Sequence, residues 1–369
     1  MPRTYKILIA PLDWGLGHTT RCIPIIKQLL AAGHTVVAAA VGGPAKLLEA
    51  NFPRLRILPL EGYRITYSRS PRTFSLKIMA QIPKILRAIK KERLWLDTLL
   101  KSEHFDLVIS DNRYGLHTTT LPCWIMTHQL QIQTGMGRLA DRVLQRLHHG
   151  LLRKFYRCLV VDDMDKNTLA GKLAHAAKLP MQACSFTGCL SQFSGMDKGS
   201  GSVRPHEILI LLSGPEPMRG RLEKILLAQA RALKQYHFHF VAGKAQTTRE
   251  AAIAPHINYY ASCNAAQLLP MLQSAAMVVC RSGYSTIMDL AMLQKKALLI
   301  PTPGQTEQEY LANYLSGKKY FFSSSQQDIS LQETIPKVLA SNRQPPKPVE
   351  SIDFALLAAK DIAYFSSTK

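Results

Sequence analysis

The chain has 369 residues, of which 47% are hydrophobic, so it can form two domains with separate cores. It carries 46 Lys and Arg against 25 Asp and Glu, which gives a formal charge of +21. This excess favours an anionic partner such as nucleic acid, anionic lipid or a phosphorylated substrate. No apolar run reaches the ~18 residues of a membrane span, and the amino terminus lacks the pattern of a signal peptide.

The seven cysteines are scattered and form no CxxC pair, which argues against a zinc site and indicates a reducing compartment. Several lie in apolar, strand-like runs, where a free thiol packs as a small core residue. We therefore expect a cytoplasmic protein, with the inner face of the cell membrane as an alternative, peripheral location.

Apolar, strand-like runs alternate with amphipathic helical stretches through the first half of the chain. This alternation is typical of βαβ units and predicts a parallel sheet. The predicted strands are KILIAPL (6–12), HTVVAAAV (34–41), LRILPL (55–60), Phe105–Asp111, Cys123–Gln129 and Arg157–Asp163. Helices are predicted near Arg21–Ala32 and Pro44–Asn51.

A low-complexity segment, Ser191–Arg204, follows this series and predicts a linker. A second series contains strands predicted at 207–214 (EILILLSG), 238–243 (FHFVAG), 257–262 (INYYAS), 277–280 (MVVC) and 297–301 (ALLIP). A proline-rich break at 345–349 precedes a final apolar helix near Ile352–Phe365. The sequence therefore predicts an α/β protein with two doubly wound, Rossmann-like domains whose carboxyl edges face a central cleft.

The segment 278–313 carries the strongest functional signal, because a small-residue turn there joins an apolar strand to a short helix. Backbone N–H groups at such a helix start suit the phosphates of a nucleotide. The polar loop that leaves the next strand supplies side chains for hydroxyl groups, so a nucleotide sugar is predicted. The donor-binding residues assigned in this segment are Arg281, Ser282, Gly283, Ser285, Asp289, Gln305, Glu307 and Gln308.

A second predicted site, DWGLGHTTR (13–21), directly follows the first strand. Gly17 allows the backbone to approach a ligand closely, and His18 lies near the first turn of the next helix, where an imidazole can take a proton from a hydroxyl. The alternative is that the glycines serve only the turn and His18 caps the helix. Ser213 and Gly214 form another strand-to-helix turn, which either contributes donors to a phosphate or is a plain connection.

Two acidic features of this half remain open to more than one interpretation. Asp111 ends a strand at the same edge as His18 and either orients His18, acts as the base itself, caps a helix or pairs with Arg113. The acidic stretch Asp162–Asp165 has the form of a divalent-cation site, but loop and helix-cap chemistry is favoured there. His128 follows another strand, where a lone histidine is more often a core residue.

The segment 64–101 contains ten basic and two acidic residues, and 137–157 contains six and one. Apolar residues at helical spacing in the first segment predict a basic amphipathic helix. Such a helix either binds an anionic membrane surface or is an ordinary domain helix with a solvated basic face.

The motifs RSGYSTIMD and PTPGQTEQEYLAN resemble the donor-site signature of the GT-B glycosyltransferases of family 28, and DWGLGHTTR resembles that family's amino-terminal glycine-rich loop. The resemblance implies an acceptor-binding domain at 1–190, a linker at 191–204, a nucleotide-sugar domain at 205–345 and a helix at 346–369 that crosses back. It also implies metal-independent, inverting transfer from a UDP-sugar, with no cofactor.

By their positions in the family motif, Ser282 and Gly283 are implied to contact the diphosphate. Asp289 is implied to contact the ribose, and Glu307 and Gln308 are implied to contact the sugar. Asp289 departs from the Glu that is usual in the family, and GLGH is shorter than the usual multi-glycine loop.

The implied reaction is a direct displacement at the anomeric carbon. His18 is the base, aided by Asp13 or Asp111. The acceptor is a glycan, a lipid or a small molecule. A nucleotide-sugar epimerase or hydrolase is the alternative enzyme. A basic nucleic-acid-binding protein is disfavoured, because the basic segments lack interleaved aromatic residues.

Overall fold

The computed structural model describes residues 3–65, 77, 79–132, 137–164, 168–196, 202–214, 216–244 and 251–368. These residues form two compact units. Unit 1 contains the described residues of Met1–Thr66, Ser75–Gln192 and Val349–Lys369, and unit 2 contains those of Phe193–Pro348. The predicted α/β class and the two Rossmann-like sheets are confirmed.

The sheet of unit 1 has seven parallel strands in the order β3-β2-β1-β4-β5-β6-β7. The strands are β1 Lys6–Pro11, β2 Thr35–Ala39, β3 Arg56–Leu58, β4 Leu107–Asp111, β5 Cys123–Thr127, β6 Arg157–Val160 and β7 Cys184–Phe186. Every residue of β4 and β5 is buried, as expected for central strands that are covered on both faces. The chain reverses its winding direction at β1, so β1 and β4 flank a topological switch point.

The helices described in unit 1 cover its sheet. They are α1 Leu16–Ala31, α2 Gly42–Asn51, α3 Ile82–Ser102, α4 Arg138–Leu152 and the carboxyl-terminal α10 Phe354–Ser367. Polar contacts tie α10 to this sheet: Asp361 accepts hydrogen bonds from Trp124 Nε1 at 2.9 Å and from Arg157 Nε at 2.5 Å. The last helix is therefore part of unit 1.

The sheet of unit 2 has the order β10-β11-β9-β8-β12-β13-β14 and is parallel except for the pair β10–β11. Its strands are β8 Arg204–Leu211, β9 His237–Val241, β10 Ala251–Ala254, β11 Ile257–Tyr260, β12 Ala275–Cys280, β13 Ala297–Leu299 and β14 Phe322–Ser323. The helices described in this unit are α5 Met218–Ala232, α6 Ala265–Ser274, α7 Tyr284–Met292, α8 Thr306–Gly317 and α9 Leu331–Ala340. Here β8 and β12 flank the switch point.

Several strands end earlier than the sequence predicted. For example, β5 ends at Thr127 and β6 at Val160, short of the predicted Gln129 and Asp163. The short strands β7, β10 and β14 were not predicted. Residues 197–201 of the predicted linker lie outside the described residues, and its last residue, Arg204, begins β8. No helix within the described ranges has the length and apolarity to cross a membrane.

Candidate functional site

The first candidate site lies at the carboxyl edge of the unit 1 sheet, beside the switch point. The last residue of β1, Pro11, pairs in register with Asp111, the last residue of β4. The chain then turns through Gly15, whose φ of 100° favours glycine, and enters α1. His18 therefore lies in the first turn of α1, next to the end of β4.

His18 and Asp111 are in direct contact, as one of the predicted alternatives required. His18 Nδ1 lies 3.1 Å from Asp111 Oδ2, and 15% of the His18 side chain remains exposed while Asp111 is fully buried. In the tautomer with its proton on Nδ1, the imidazole donates to the carboxylate and Nε2 keeps a lone pair that can accept a proton, whereas in the other tautomer Nδ1 accepts from the Arg21 guanidinium. The first of these arrangements suits a general base and its orienting acid.

Arg21 completes this cluster and was not among the predicted site residues. Its Nε donates to Asp111 Oδ2 at 2.8 Å, and one of its Nη atoms lies 2.9 Å from His18 Nδ1. The other Nη atom lies 3.0 Å from Nδ1 of His128, so His128 contacts the cluster rather than only the core. The sequence feature that could have identified Arg21 is its i, i+3 spacing from His18, which places both side chains on one face of a helix.

The cluster shifts the ionisation of its members. Burial lowers the pKa of His18 from its usual value, even though the nearby Asp111 carboxylate opposes this shift. Burial also acts against ionisation of Asp111, but Arg21 and His18 outweigh it and lower the pKa of Asp111 to about 2. At neutral pH the cluster therefore holds an ionised carboxylate beside a neutral imidazole.

The proposed pairing of Asp111 with Arg113 is wrong. Arg113 instead donates through Nε to Glu92 at 2.8 Å, and both side chains are buried. Glu92 also accepts a hydrogen bond from the Tyr63 hydroxyl at 3.0 Å. This second network anchors α3 to the sheet, so it leaves Asp111 to His18 and Arg21.

Asp13 is not described in contact with His18, which corrects its assignment as an aid to the base. Asp13 Oδ1 accepts a hydrogen bond from the Tyr63 amide at 3.2 Å. A Cβ atom at Gly62 would lie 1.8 Å from the Asp13 carboxyl carbon, so a larger residue there would displace the Asp13 side chain. Asp13 fixes the loop beside β1.

The glycine-rich loop also presents apolar surface that the sequence analysis missed. Trp14 is 39% exposed and Leu16 is 47% exposed, on either side of Gly15. The Gly17 carbonyl accepts a hydrogen bond from the Thr20 hydroxyl at 2.9 Å, so Gly17 serves the first turn of α1. The loop thus offers apolar contacts next to His18.

The second candidate site lies at the carboxyl edge of unit 2, where β8 and β12 are neighbours. Ser213 and Gly214 follow β8, and Gly214 has a φ of 96°. After β12, Gly283 is the N-cap of α7 and provides no side-chain cap. A Cβ atom built at Gly283 would meet no atom within 4 Å. Gly283 therefore provides no side-chain cap, and its Cα adjoins open space, which suits an anion site at the helix start.

Arg281, one of the assigned donor-binding residues, is buried and does not present its charge at the surface. The side chain is 1% exposed. Its guanidinium donates to the carbonyls of Ile300 (3.2 Å), Pro301 (3.0 Å) and Met218 (2.8 Å) and to the Gln326 side chain (2.7 Å). Burial lowers the pKa of Arg281 to about 10, which leaves it charged at neutral pH. It holds β12, β13 and the start of α5 together as a buried cation.

Two other predicted ligands are also held within the protein. The Ser282 hydroxyl donates to the Gln308 carbonyl at 2.8 Å, so Ser282 offers its backbone rather than its side chain. Gln308 is 7% exposed, and its Oε1 accepts a hydrogen bond from the Thr302 amide at 2.9 Å. These contacts tie the turn after β12 to the loop after β13.

The remaining predicted donor residues surround that turn and loop. Ser285 is in the first turn of α7, and Asp289 lies further along the same helix with 9% exposure. Gln305 is the N-cap of α8, and Glu307 is in its first turn. The structure thus brings the two motifs of unit 2 to one edge of the sheet.

Asp162 caps a loop, which is the interpretation that the sequence analysis favoured. Its two carboxylate oxygens accept hydrogen bonds from the amides of Leu169 (3.0 Å) and Ala170 (3.1 Å). Asp163 accepts one from the Val349 amide at 3.2 Å, and Asp165 lies outside the described residues. Asp162 therefore serves the backbone of unit 1.

A pocket of about 840 Å³ lies at the opposite, amino-terminal edge of the unit 1 sheet. Its lining includes Glu103, Asp106 and Phe365. Glu103 is already paired with Lys6 at 2.7 Å. The pocket is separate from the edge that holds His18 and has no part in the candidate site.

This chain is similar to known glycosyltransferases. Residues 222–363 match the Glycosyltransferase family 28 C-terminal domain. An uncharacterized glycosyltransferase of Methanosarcina mazei is 23% identical over 336 residues, which cover 85% of this chain and 84% of that protein.

A UDP-N-acetylglucosamine--N-acetylmuramyl-(pentapeptide) pyrophosphoryl-undecaprenol N-acetylglucosamine transferase of Methylobacterium is 32% identical over 142 residues, which cover 37% of this chain and 34% of that enzyme. Among solved structures, the spinosyn rhamnosyltransferase SpnG complexed with thymidine diphosphate superimposes with a TM-score of 0.61 at 16% identity. That superposition covers 98% of this chain and 96% of SpnG. The chain is therefore a glycosyltransferase with the GT-B fold, similar to family 28 through its carboxyl-terminal domain.

Proposed function

We propose that this protein transfers a sugar from a UDP-linked donor to an acceptor hydroxyl, with inversion at the anomeric carbon and without a bound metal ion. The observation that carries the proposal is the start of α7 at Gly283 in unit 2, where the N-cap residue has no side chain and adjoins open space. A helix start is electropositive, and its first amide groups have no partner within the helix. Such a site suits the diphosphate of a nucleotide sugar.

The buried Arg281 strengthens this site without touching the donor. Its described hydrogen-bond partners are all neutral, so no carboxylate among them cancels its charge. In a poorly solvated setting, that uncompensated charge favours an anion at the neighbouring helix start. As the glycosidic bond breaks, negative charge develops on the departing diphosphate, and the same amides and cation stabilise it. This electrostatic support is what makes a bound metal ion unnecessary.

His18 acts as the general base in the proposed reaction. Its Nε2 takes the proton of the acceptor hydroxyl as the oxygen attacks the anomeric carbon, and Asp111 stabilises the imidazolium that forms. Arg21 keeps the Asp111 carboxylate in place. The exposed Trp14 and Leu16 suit an acceptor with apolar groups near its reactive hydroxyl.

The identity of the nucleotide in the donor is also part of the proposal. The Methylobacterium relative is named for a UDP-linked donor, and the SpnG structure contains thymidine diphosphate. The two nucleotides carry the same diphosphate, which is the group that the start of α7 would bind. UDP is proposed because the donor motif of this chain lies in the part that resembles family 28.

Three substitutions at Gly283 test the donor site. Gly283→Ala adds a methyl group to open space and should leave UDP affinity within about twofold. Gly283→Asn adds a neutral cap, and Gly283→Asp adds a cap with a negative charge. We expect Gly283→Asp to weaken UDP binding at least tenfold and Gly283→Asn by less, while both stabilise α7 slightly. Isothermal titration calorimetry with UDP and with thymidine diphosphate measures both affinities.

Equal UDP affinity in all four proteins would refute the α7 site. Transfer that is lost on treatment with a chelator and restored by a divalent cation would refute the metal-independent mechanism. Donor that is isomerised or hydrolysed without an acceptor would identify the alternative enzyme class. Salt-sensitive binding of RNA or DNA, together with no binding of UDP, would support a nucleic-acid-binding protein instead.

A further inference from the structure

Two of the seven cysteines lie side by side in the sheet of unit 1. Cys158, in β6, pairs in register with Cys184, the first residue of the edge strand β7. Residues that pair directly on neighbouring strands point their side chains to the same face of the sheet. Neighbouring strands are about 4.8 Å apart, and a disulfide joins residues whose Cα atoms are about 4.4–6.8 Å apart. The register therefore places both thiols where a disulfide can join them without a large movement of the backbone.

The two thiols are reduced and in contact with each other. Both residues are free cysteines, and their side chains are hydrogen-bonded to one another. The Cys184 sulfur also lies 3.3 Å from the carbonyl oxygen of Met181. Cys158 is 0% exposed, whereas Cys184 is partly exposed. Solvent and small solutes therefore reach one thiol of the pair directly and not the other.

The surroundings give the two thiols different reactivity. The hydrogen bond with Cys158 lowers the pKa of Cys184, and the charge of the neighbouring Arg157 acts in the same direction, although burial opposes both. The same hydrogen bond, together with burial, raises the pKa of Cys158 well above its usual value. A thiolate, rather than a thiol, attacks an oxidant. Cys184 is therefore the reactive member, and Cys158 is a protonated thiol held beside it.

We propose that Cys158 and Cys184 form a reversible dithiol–disulfide site that hydrogen peroxide oxidises. The Cys184 thiolate attacks one peroxide oxygen, so that an S–O bond forms, the O–O bond breaks, and the hydroxide that leaves takes up a proton. The Cys158 sulfur then attacks the sulfenic acid at Cys184. An S–S bond forms, the S–O bond breaks, and the departing hydroxide takes the Cys158 proton. Two thiols thereby lose two electrons, and one peroxide is reduced to two molecules of water.

The disulfide joins the partly buried edge strand β7 covalently to the rest of its sheet. The chain just beyond β7 binds the segment that leads into α10: the Ile352 amide donates to the Thr187 carbonyl at 3.0 Å, and the Cys189 amide donates to the Val349 carbonyl at 3.2 Å. Oxidation therefore fixes the strand from which these contacts are made. Because the bond also closes a loop of 26 residues in the unfolded chain, it should raise the Tm of unit 1 by roughly 5–10 °C.

This site is separate from both candidate sites. Cys158 and Cys184 lie in the first half of their strands, whereas His18 lies at the carboxyl edge of the same sheet and the donor site belongs to unit 2. The proposal therefore does not rest on the proposed transfer reaction. A transient disulfide is also compatible with the reducing compartment that the scattered cysteines indicate.

Oxidation is measured on the full-length protein without donor or acceptor. Reduced protein is treated with hydrogen peroxide at pH 7, the remaining thiols are alkylated, and its peptides are analysed by mass spectrometry without reduction. We expect a linked pair of peptides that contain Cys158 and Cys184, which dithiothreitol separates. The pair should form roughly tenfold faster than Cys263 loses its thiol. Cys263 is the matched control, because it is also partly exposed but lies in unit 2.

Two variants separate the roles of the thiols. In Cys158→Ala the sulfenic acid at Cys184 has no thiol to attack it, so dimedone should trap it. In Cys184→Ala the reactive thiol is absent, so Cys158 should stay reduced. Cys263→Ala should form the disulfide as wild type does. Peroxide should raise the Tm of wild type and of Cys263→Ala and not that of the other two, and circular dichroism of the reduced proteins checks that each one folds.

A wild-type protein that yields no linked peptide pair after peroxide treatment would overturn the proposal, and so would a disulfide from Cys184 to another cysteine. Lasting dimedone labelling of Cys184 in wild type, without the linked pair, would show a single oxidisable thiol instead. Oxidation of Cys158 at the wild-type rate in Cys184→Ala would contradict the assigned order of attack.

Discussion

The carboxyl edges of the two sheets differ in chemistry, although both sheets have seven strands and a switch point at a central strand. In unit 1, titratable side chains meet at that edge: His18, Asp111 and Arg21 contact one another directly. In unit 2, backbone groups dominate, because the start of α7 has no side-chain cap and Arg281 is buried among neutral acceptors.

Under the proposed function, this difference suits the two edges to two different tasks. Proton transfer needs a group whose ionisation state can change, which in proteins is a side chain such as that of His18. Holding a diphosphate needs fixed positive potential, which amides and a buried guanidinium supply without changing their protonation. We therefore expect substitutions in unit 1 to affect the chemical step and substitutions in unit 2 to affect donor binding and stability.

The largest effect is expected for the dyad in unit 1. His18→Ala should lower kcat by roughly 10²- to 10⁴-fold, because the acceptor loses its base, while UDP affinity changes by less than about twofold. Asp111→Asn keeps the shape of the side chain and should also lower kcat. The double variant should be little worse than His18→Ala alone, since the two residues act as a unit. Steady-state kinetics and UDP titration measure both quantities.

An additive loss in the double variant would show that Asp111 acts independently of His18. A loss of UDP affinity in His18→Ala would show that the unit 1 edge also takes part in donor binding, against the expected separation of roles. His104→Ala serves as a control for the loss of a histidine in unit 1, because the His104 side chain is 82% exposed and pairs with Asp106 at 3.2 Å.

The second prediction concerns Arg281 and distinguishes a positioning role from direct contact. Arg281→Gln removes the cation and most of its donors, and we expect it to lower the free energy of unfolding by about 2–4 kcal/mol because buried carbonyls lose their partners. Arg281→Lys keeps the charge but cannot reproduce the fork of donors, so it should lose nearly as much stability. Urea unfolding and UDP titration of both variants provide the test. Full stability in Arg281→Lys would contradict the positioning role.

The smallest effect is a dependence of unit 1 on pH. Burial lowers the pKa of His148 to about 4, whereas an unfolded histidine has a pKa near 6.5. The unfolded chain therefore binds more protons between these values, so stability falls as pH drops from about 6.5 towards 4. The full contribution is about 3 kcal/mol, from 1.36 kcal/mol for each pKa unit.

Hydrogen exchange measured at pH 7 and at pH 5 should show this loss in α4. His148→Leu should reduce the acid sensitivity, because a leucine there takes up no proton. Exchange in α4 that does not change with pH, or that changes equally in His148→Leu, would contradict this assignment.

Much of the fold could be read from the sequence, because apolar runs that alternate with amphipathic stretches define βαβ units. Short edge strands such as β7 and β14 were missed, since two or three residues of partly buried strand carry little periodicity. Glycine-containing turns after strands also located both candidate edges correctly.

The individual roles of site residues were harder to predict. Arg281 lies in the donor motif and was therefore assigned to donor binding, but the carbonyls that bury it come from distant segments. Arg21 was passed over, because its partner Asp111 is 90 residues away in the chain. Asp13 was assigned to catalysis, although the loop at Gly62 and Tyr63 holds it.

The sequence by itself determined the α/β class, the order of the elements and the two turns at which small residues precede a helix. These features depend on local backbone preference and on hydrophobic period, which neighbouring residues encode. Only the tertiary structure decided which polar side chains face each other, because hydrogen bonds and burial join segments that are far apart in the chain. The proton-handling cluster of unit 1 and the buried cation of unit 2 are both of this second kind.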